Sequence, residues 1–405
     1  MDTNSALSLY DLKPVAWLMV VGVLLALGPL VWVWRRNAGV GAARRLHALT
    51  VLTLFLTFDL TMFGAFTRLT DSGLGCPDWP GCYGNASPVG ARHEIAMAQA
   101  VQPTGPVTHG KAWVEMVHRY LATGVGVLIL VLAVATWIAR HRQRRLAAPT
   151  GVSQQVLSAW WPATTLVWVC LQGAFGAWTV TLRLFPAIVT LHLLGAIVLL
   201  ALLCIQAVRY QQAATGRRPV AVASSLRFLM IGTAALLALQ IALGGWVSTN
   251  YAVLACTQFP VCQDSFWPPM NFAQGFQIWR ELGVDAGGVP IDFSALTAIH
   301  YVHRLMAYVV FFAIGTLAWR LHREAVAPRP QARWLAGLAL LQLATGLGNV
   351  LLDWPLVAAV LHTGGAAALA IVLTWTLCES RRESASARHA AGASMPATSR
   401  EAGAA

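Results

Sequence analysis

Charge is what this 405-residue sequence has least of. Asp, Glu, Lys and Arg together make up 11% of it and hydrophobic residues 57%, whereas soluble domains are roughly a quarter charged. A soluble globular domain is thereby excluded. Acidic residues are scarcer still, 16 against 28 basic ones. The resulting net charge of +12 does not mark a nucleic-acid partner. Nearly all the basic residues are Arg, in short clusters between apolar runs, which is a membrane-topology signal. A secretory signal is also lacking: no basic segment precedes the first apolar run, and Arg35-Arg36 follow it in place of a small-residue cleavage site. There is no nucleotide-binding loop. No two aspartates have the Asp-x-x-x-Asp spacing of a prenyltransferase diphosphate site.

What is present are apolar runs of the roughly 20 residues that a bilayer requires. Nine are expected, near 14–34, 48–67, 115–138, 157–179, 188–208, 226–247, 296–319, 334–352 and 356–377. Arg clusters alternate between them: Arg35–Arg45, Arg140–Arg145, Arg209–Arg227, Arg320–Arg333 and Arg381–Arg388 follow the odd-numbered spans. The positive-inside rule then predicts an inner-membrane protein with a periplasmic N-terminus and a cytoplasmic C-terminus. The two long outer loops, 68–114 and 248–295, are rich in Pro, Gly and Trp and are expected to form an ordered cap. The chain from Glu379 has no apolar period and is expected to be disordered.

The sequence repeats itself. Gly64, Cys76, Pro80 and Cys82 match Gly244, Cys256, Pro260 and Cys262 at an offset of 180. His118-Arg119 echoes His303-Arg304, and the Leu-Gln pairs at 171–172 and 341–342 each precede a histidine, His192 and His362, by 20 residues. Spans two to five and six to nine are therefore read as parallel repeats. The expected fold is all-α and polytopic: two pseudo-symmetric four-helix bundles at 47–222 and 223–378, an N-terminal anchor at 1–46, and a tail at 379–405.

Of eleven histidines, His118, His192, His303 and His362 obey the repeat, two per half. By helical rise His118 lies ~5 Å past the outer membrane face and the other three about 6–11 Å. Paired imidazoles at similar height in a bundle suit an iron porphyrin held on both axial sides. A packed, hydrogen-bonded imidazole is the plain alternative. Zinc or copper fits less well, because no carboxylate or cysteine completes a shell in both halves. Arg119 and Arg304 need partners inside a span: heme propionates, backbone carbonyls or a carboxylate. Arg68 and Arg183, at the interface, are further propionate candidates, or snorkelling side chains.

The halves differ at one place. Glu115 lies three residues before His118, on the same helix face, where the second half has His300. A carboxylate beside one site only marks the first half as the reactive one. There it would position water, take a proton or stabilise positive charge; pairing with Arg119 or capping the helix is the alternative. Asp59 ranks behind it, and Asp353 is a further acidic candidate. Cys76/Cys82 and Cys256/Cys262, on the oxidising side, are expected to close two local disulfide clips, structural or redox-active; a bond between halves is less favoured. Cys170, Cys204 and Cys378 read as small buried hydrophobes.

GAFTRLTDSGLGCPDWPGC at Gly64–Cys82, EMVHR at Glu115–Arg119, the Cys256–Cys262 loop and His303-Arg304 together resemble the heme A synthase family over residues 48–378. The resemblance implies an oxidoreductase that converts heme O to heme A for terminal oxidases, turning a methyl into a formyl group by two hydroxylations and loss of water. It implies a resident heme b on His303 and His362, with Arg304 nearby. It implies substrate heme O on His118 and His192, near Arg119 and Arg68, with Glu115 catalytic. Heme O synthase, an electron-transfer partner, membrane lipid and a homo-oligomer are the implied partners. A diheme b-type electron-transfer cytochrome or a heme-handling assembly factor is the alternative reading.

Overall fold

The computed structural model describes residues 13–147, 157–324 and 329–382. Among them nine helices are long and apolar enough to cross a membrane. These are α1 (Lys13–Arg36), α2 (Ala42–Leu69), α4 (His109–Ala147), α5 (Trp160–Thr181), α6 (Pro186–Thr215), α7 (Ser224–Thr249), α9 (Phe293–Arg323), α10 (Arg329–Leu351) and α11 (Leu356–Glu379). Two short helices, α3 (Arg92–Val101) and α8 (Phe272–Gly275), lie in the long loops. All nine expected spans are present. The broad shifts are extensions beyond the apolar runs: α4 runs from His109 to Ala147 rather than over 115–138, so its first turns stand in the cap, α2 starts at Ala42 and α6 continues to Thr215.

Helices α2, α4, α5 and α6 pack on one another, and so do α7, α9, α10 and α11. The two groups meet through α6–α11, α6–α7 and α2–α11. If α2 corresponds to α7 and α6 to α11, the last two contacts are the same contact seen from either side. Such an interface is pseudo-two-fold. Side-chain contacts at the repeat offset bear this out. Arg68 donates to the Ser248 carbonyl (2.6 Å), and Tyr251 Oη donates to Asp71 (2.7 Å), each across 180 residues. The Arg68 guanidinium stacks on the Tyr251 ring at 4.1 Å. Residue positions that meet their own repeat equivalents lie on the axis.

The inward face of α2 is made of threonines. Thr50, Thr53, Thr57 and Thr61 are buried, and each hydroxyl donates to the carbonyl four residues back. Small residues with internally satisfied hydroxyls let helices approach closely in a membrane. The large apolar side chains Val51 and Phe55 face outward instead. Asp59, expected to be costly to bury, is on that exposed face. Cys170 is likewise exposed, against expectation, whereas Cys204 is buried and Cys378 intermediate.

Helix α1 is not a detached anchor. It packs along α4, where Gly22 sits so close to Thr123 that a Cβ would lie 2.5 Å from its Cγ2. Leu18 joins Cys76, Cys82, Ile95 and Met116 in the buried cap cluster. At the opposite end, Val220–Val222 (β1) pairs in parallel with Ser380–Arg382 (β2). The expectation of a structureless chain from Glu379 therefore fails at its first residues: Glu379 ends α11, and the next three pair as a strand. Residues 383–405 lie outside the described residues.

The α5–α6 and α10–α11 pairs share a lock. Gln172 and Gln342 lie against Gly195 and Gly365, and a Cβ on either glycine would collide with the glutamine Nε2. Trp168 Nε1 donates to the Gly195 carbonyl at 2.8 Å, and Gln342 Nε2 to the His362 carbonyl at 2.9 Å. Gly195→Ala is expected to overpack this crossing and destabilise the protein by about 1–3 kcal/mol. A lowered unfolding temperature in detergent would show it; an unchanged one would mean the glutamine moves aside freely.

Candidate functional site

Four helices that start at the cap end of the bundles carry the repeat histidines: α4 has His118, α6 His192, α9 His303 and α11 His362. Counted along the helix, His118 and His303 lie ~14 and ~15 Å from their first residues, and His192 and His362 both ~9 Å. The two halves therefore present the same pair of heights. His118 and His192 lie on helices of the first bundle, and His303 and His362 on helices of the second, one expected pair in each.

Each imidazole lies against a glycine of the preceding span. A Cβ on Gly64 would be 3.0 Å from His118 Nε2, and one on Gly244 3.0 Å from His303 Cε1. A Cβ on Gly176 would be 3.5 Å from His192 Cε1, and one on Gly346 3.3 Å from His362 Cε1. These four glycines are cradles that a side chain would fill. Sequence reasoning matched Gly64 with Gly244 without seeing what they pack against, and it missed Gly176 and Gly346. Their signal was the offset of 170 that also relates His192 to His362.

The surroundings of the rings differ. Thr345 Oγ is 2.9 Å from His362 Nδ1, and Gln240 Nε2 is 3.2 Å from His303 Nδ1. In the first bundle, His192 Nδ1 is buried without a hydrogen-bond partner, and the His118 ring stacks on Phe63 with centroids 6.3 Å apart.

These residues fit a heme in each bundle. No group of three His, Cys, Asp or Glu side chains among the described residues is placed to hold a bare metal ion. Two imidazoles alone are an incomplete shell for zinc or copper. They are a complete axial pair when a porphyrin supplies the four remaining nitrogens.

The cap repeats too. Cys76–Cys82 and Cys256–Cys262 are disulfide-bonded, each within its own loop, as expected. Cis Trp79-Pro80 and Phe259-Pro260 follow the same offset. Arg119 donates to the carbonyls of Asp78 (3.0 Å), Pro80 (3.2 Å) and Gly81 (2.5 Å). Arg304 donates to those of Gln258 (2.7 Å) and Val261 (3.4 Å). Of the partners open to these arginines, the structure supplies backbone carbonyls in both halves and a carboxylate in one. Each arginine, directly after its histidine in sequence, ties the disulfide loop to the helix that carries both. Arg68 is at the pseudo-axis, paired with Asp71 at 3.2 Å, and Arg183 is exposed.

Glu115 is 4% exposed. One carboxylate oxygen pairs with Arg119 at 2.5 Å, and the other accepts from the Cys76 amide at 2.8 Å. The anion is thus held by one cation and one backbone N–H, one helical turn from His118. The equivalent His300 is also buried, but its Nδ1 contacts the Ala252 carbonyl at 3.0 Å. The expected asymmetry is therefore a buried anion in one half and an imidazole in the other. Asp353 is exposed in the α10–α11 turn.

Comparison with known proteins points the same way. The COX15-CtaA family, described as cytochrome oxidase assembly proteins, matches residues 47–374. That stretch omits α1 and the tail. A heme A synthase of Shewanella oneidensis is 37% identical over 338 residues, covering 80% of this chain and 92% of its own length. Heme A synthases of Mesorhizobium japonicum and Caulobacter are 29% and 27% identical, covering 77% and 79% of this chain and 84% and 91% of their own lengths.

Proposed function

The chain belongs to the COX15-CtaA family of cytochrome oxidase assembly proteins, and from that premise we propose that it acts as a heme A synthase, a multi-pass membrane oxidoreductase whose substrate is heme O. The observation that carries this reading is the pairing of four glycine-cradled histidines with a single buried carboxylate, Glu115, beside only one of the pairs.

In this reading the first bundle, 47–222, is the reaction site. His118 and His192 hold heme O, and Glu115 acts on the methyl group being oxidised. Conversion of methyl to formyl removes four electrons, two at each hydroxylation, and the diol then loses water. A buried carboxylate kept anionic by Arg119 and the Cys76 amide suits the stabilisation of positive charge developing on that carbon. The second bundle, 223–378, holds heme b between His303 and His362. When bound, that heme supplies one-electron redox chemistry, and the protein's part is to fix its axial ligands. Arg119 and Arg304 shape both sites through the cap loops, and Arg68 fixes the two bundles relative to each other. The N-terminus and the disulfide cap face the periplasm and the Arg-rich ends the cytoplasm, which accords with disulfides forming in an oxidising compartment. Heme O synthase, as the source of substrate, and an electron-transfer partner, as a taker of the electrons removed, are the partners this reading proposes.

The test is pigment analysis of protein purified from cells that make heme O but lack any other route to heme A. Heme A bound to the protein, together with heme b, is the expected result. A diheme cytochrome would instead carry two b hemes and no heme A, which would overturn the reading.

A further inference from the structure

The two histidine pairs are built alike but braced differently. In the second bundle each histidine has a side chain beside it, Thr345 at the His362 ring and Gln240 at the His303 backbone. Thr345 Oγ lies 2.8 Å from the Leu341 carbonyl one turn back, and 2.9 Å from His362 Nδ1. Its single hydrogen is directed to that carbonyl, so its oxygen accepts and Nδ1 carries the ring proton. That fixes the tautomer and leaves the Nε2 lone pair for iron. Gln240, one turn before Gly244 on α7, places Nε2 3.2 Å from His303 Nδ1 and 3.2 Å from the His303 carbonyl. That amide nitrogen donates to the His303 carbonyl and cannot accept from an Nδ1–H, so Gln240 holds the backbone of His303 and not its ring proton.

At the repeat offsets, the positions equivalent to Thr345 and Gln240 are Phe175 and Leu60. Neither can hydrogen-bond a ring. His192 Nδ1 is accordingly buried without a partner, and His118 has an aromatic ring, Phe63, stacked on it.

We propose that Thr345 is a positioning residue that makes the second pocket a permanent heme site, and that Phe175 at the equivalent place leaves the first pocket unbraced so that it releases its heme. The inference rests on the proposed histidine ligation. The physical basis is general. A hydrogen bond to the distal nitrogen of a metal-bound imidazole fixes the ring's rotation and raises its basicity, and losing it weakens binding about 10–100-fold. A site that must admit heme O and discharge its product has reason to omit that brace, whereas a resident redox group has reason to keep it.

The experiment is heme transfer from the purified holoprotein to excess apomyoglobin, with a redox titration alongside. In Thr345→Val, which keeps the shape and removes the hydroxyl, heme b loss should accelerate about 10–100-fold, and the midpoint potential of that heme should rise as its ligand becomes less electron-donating. Thr345→Ser should restore both. Phe175→Thr should slow the loss of heme from the first pocket. Unchanged loss rate and potential in Thr345→Val with heme still bound would overturn the proposal. Failure of the underlying ligation is a distinct result: His303→Ala and His362→Ala would each retain the full low-spin spectrum.

Discussion

Glu115→Ala is expected to abolish heme A formation and also to weaken the cap, two losses with different causes. The structural loss follows from what the carboxylate holds. Arg119 is 10% exposed in its side chain and Glu115 5%, so removing the anion leaves a nearly buried cation facing an empty site. Breaking a buried pair by deleting one partner costs about 3–5 kcal/mol. Here the three loop carbonyls that Arg119 also contacts place the expectation toward the lower end. The Cys76 amide loses its acceptor as well. Glu115→Gln separates the two effects, since it keeps an oxygen for that amide and fills the same volume without the charge. It should unfold above the alanine variant but below the wild type, because Arg119 still loses its counter-charge, and it should retain heme b and still yield no heme A. Wild-type heme A yield from a stably folded Glu115→Gln protein would remove the charge from the mechanism and leave Glu115 as a strut.

Much of this architecture was legible because its signals are one-dimensional. Nine apolar runs, alternating Arg clusters and a repeat of cysteines and histidines can be read without knowing which side of a helix faces which neighbour. What needed three dimensions was harder to read. In a membrane, lipid is as apolar as a core, so hydrophobicity does not point inward. On α2 the threonines are inside and Val51 and Phe55 outside, the reverse of what a soluble helix would show. The start of α4 at His109 was missed because its first turns, in the cap, are polar and do not register as a span. Thr345 was invisible for a similar reason. A threonine in an apolar helix reads as satisfied by its own backbone, and only its distance to His362 reveals a second role. Arg119 and Arg304 were correctly singled out as needing partners, but sequence left propionates, carbonyls and a carboxylate equally open. The disulfide loops folding back onto α4 and α9 supply carbonyls to both arginines, because a closed loop turns several of them toward one point.

The histidines of the second bundle give the sharpest discrimination between the two halves. His303→Ala and His362→Ala should each remove most of the low-spin heme b absorbance, because one axial ligand cannot keep the iron six-coordinate. His118→Ala and His192→Ala should leave that band intact and instead lose heme A. The deletions are sterically mild: each ring rests on a glycine, Gly244 or Gly346, so its removal opens a space without stranding a large side chain. A collapsed helix pair is therefore not the expected cause of heme loss, and a direct control exists. In His362→Gly, imidazole supplied in the buffer has room to occupy the vacated position and donate its N–H to Thr345 Oγ, and the low-spin band should return as imidazole is titrated in. Recovery would show that the bundle had kept its shape and lacked only the nitrogen. If instead both second-bundle variants keep the full band while His118→Ala loses it, the resident heme belongs to the first pair, and the assignment of the two bundles must be exchanged.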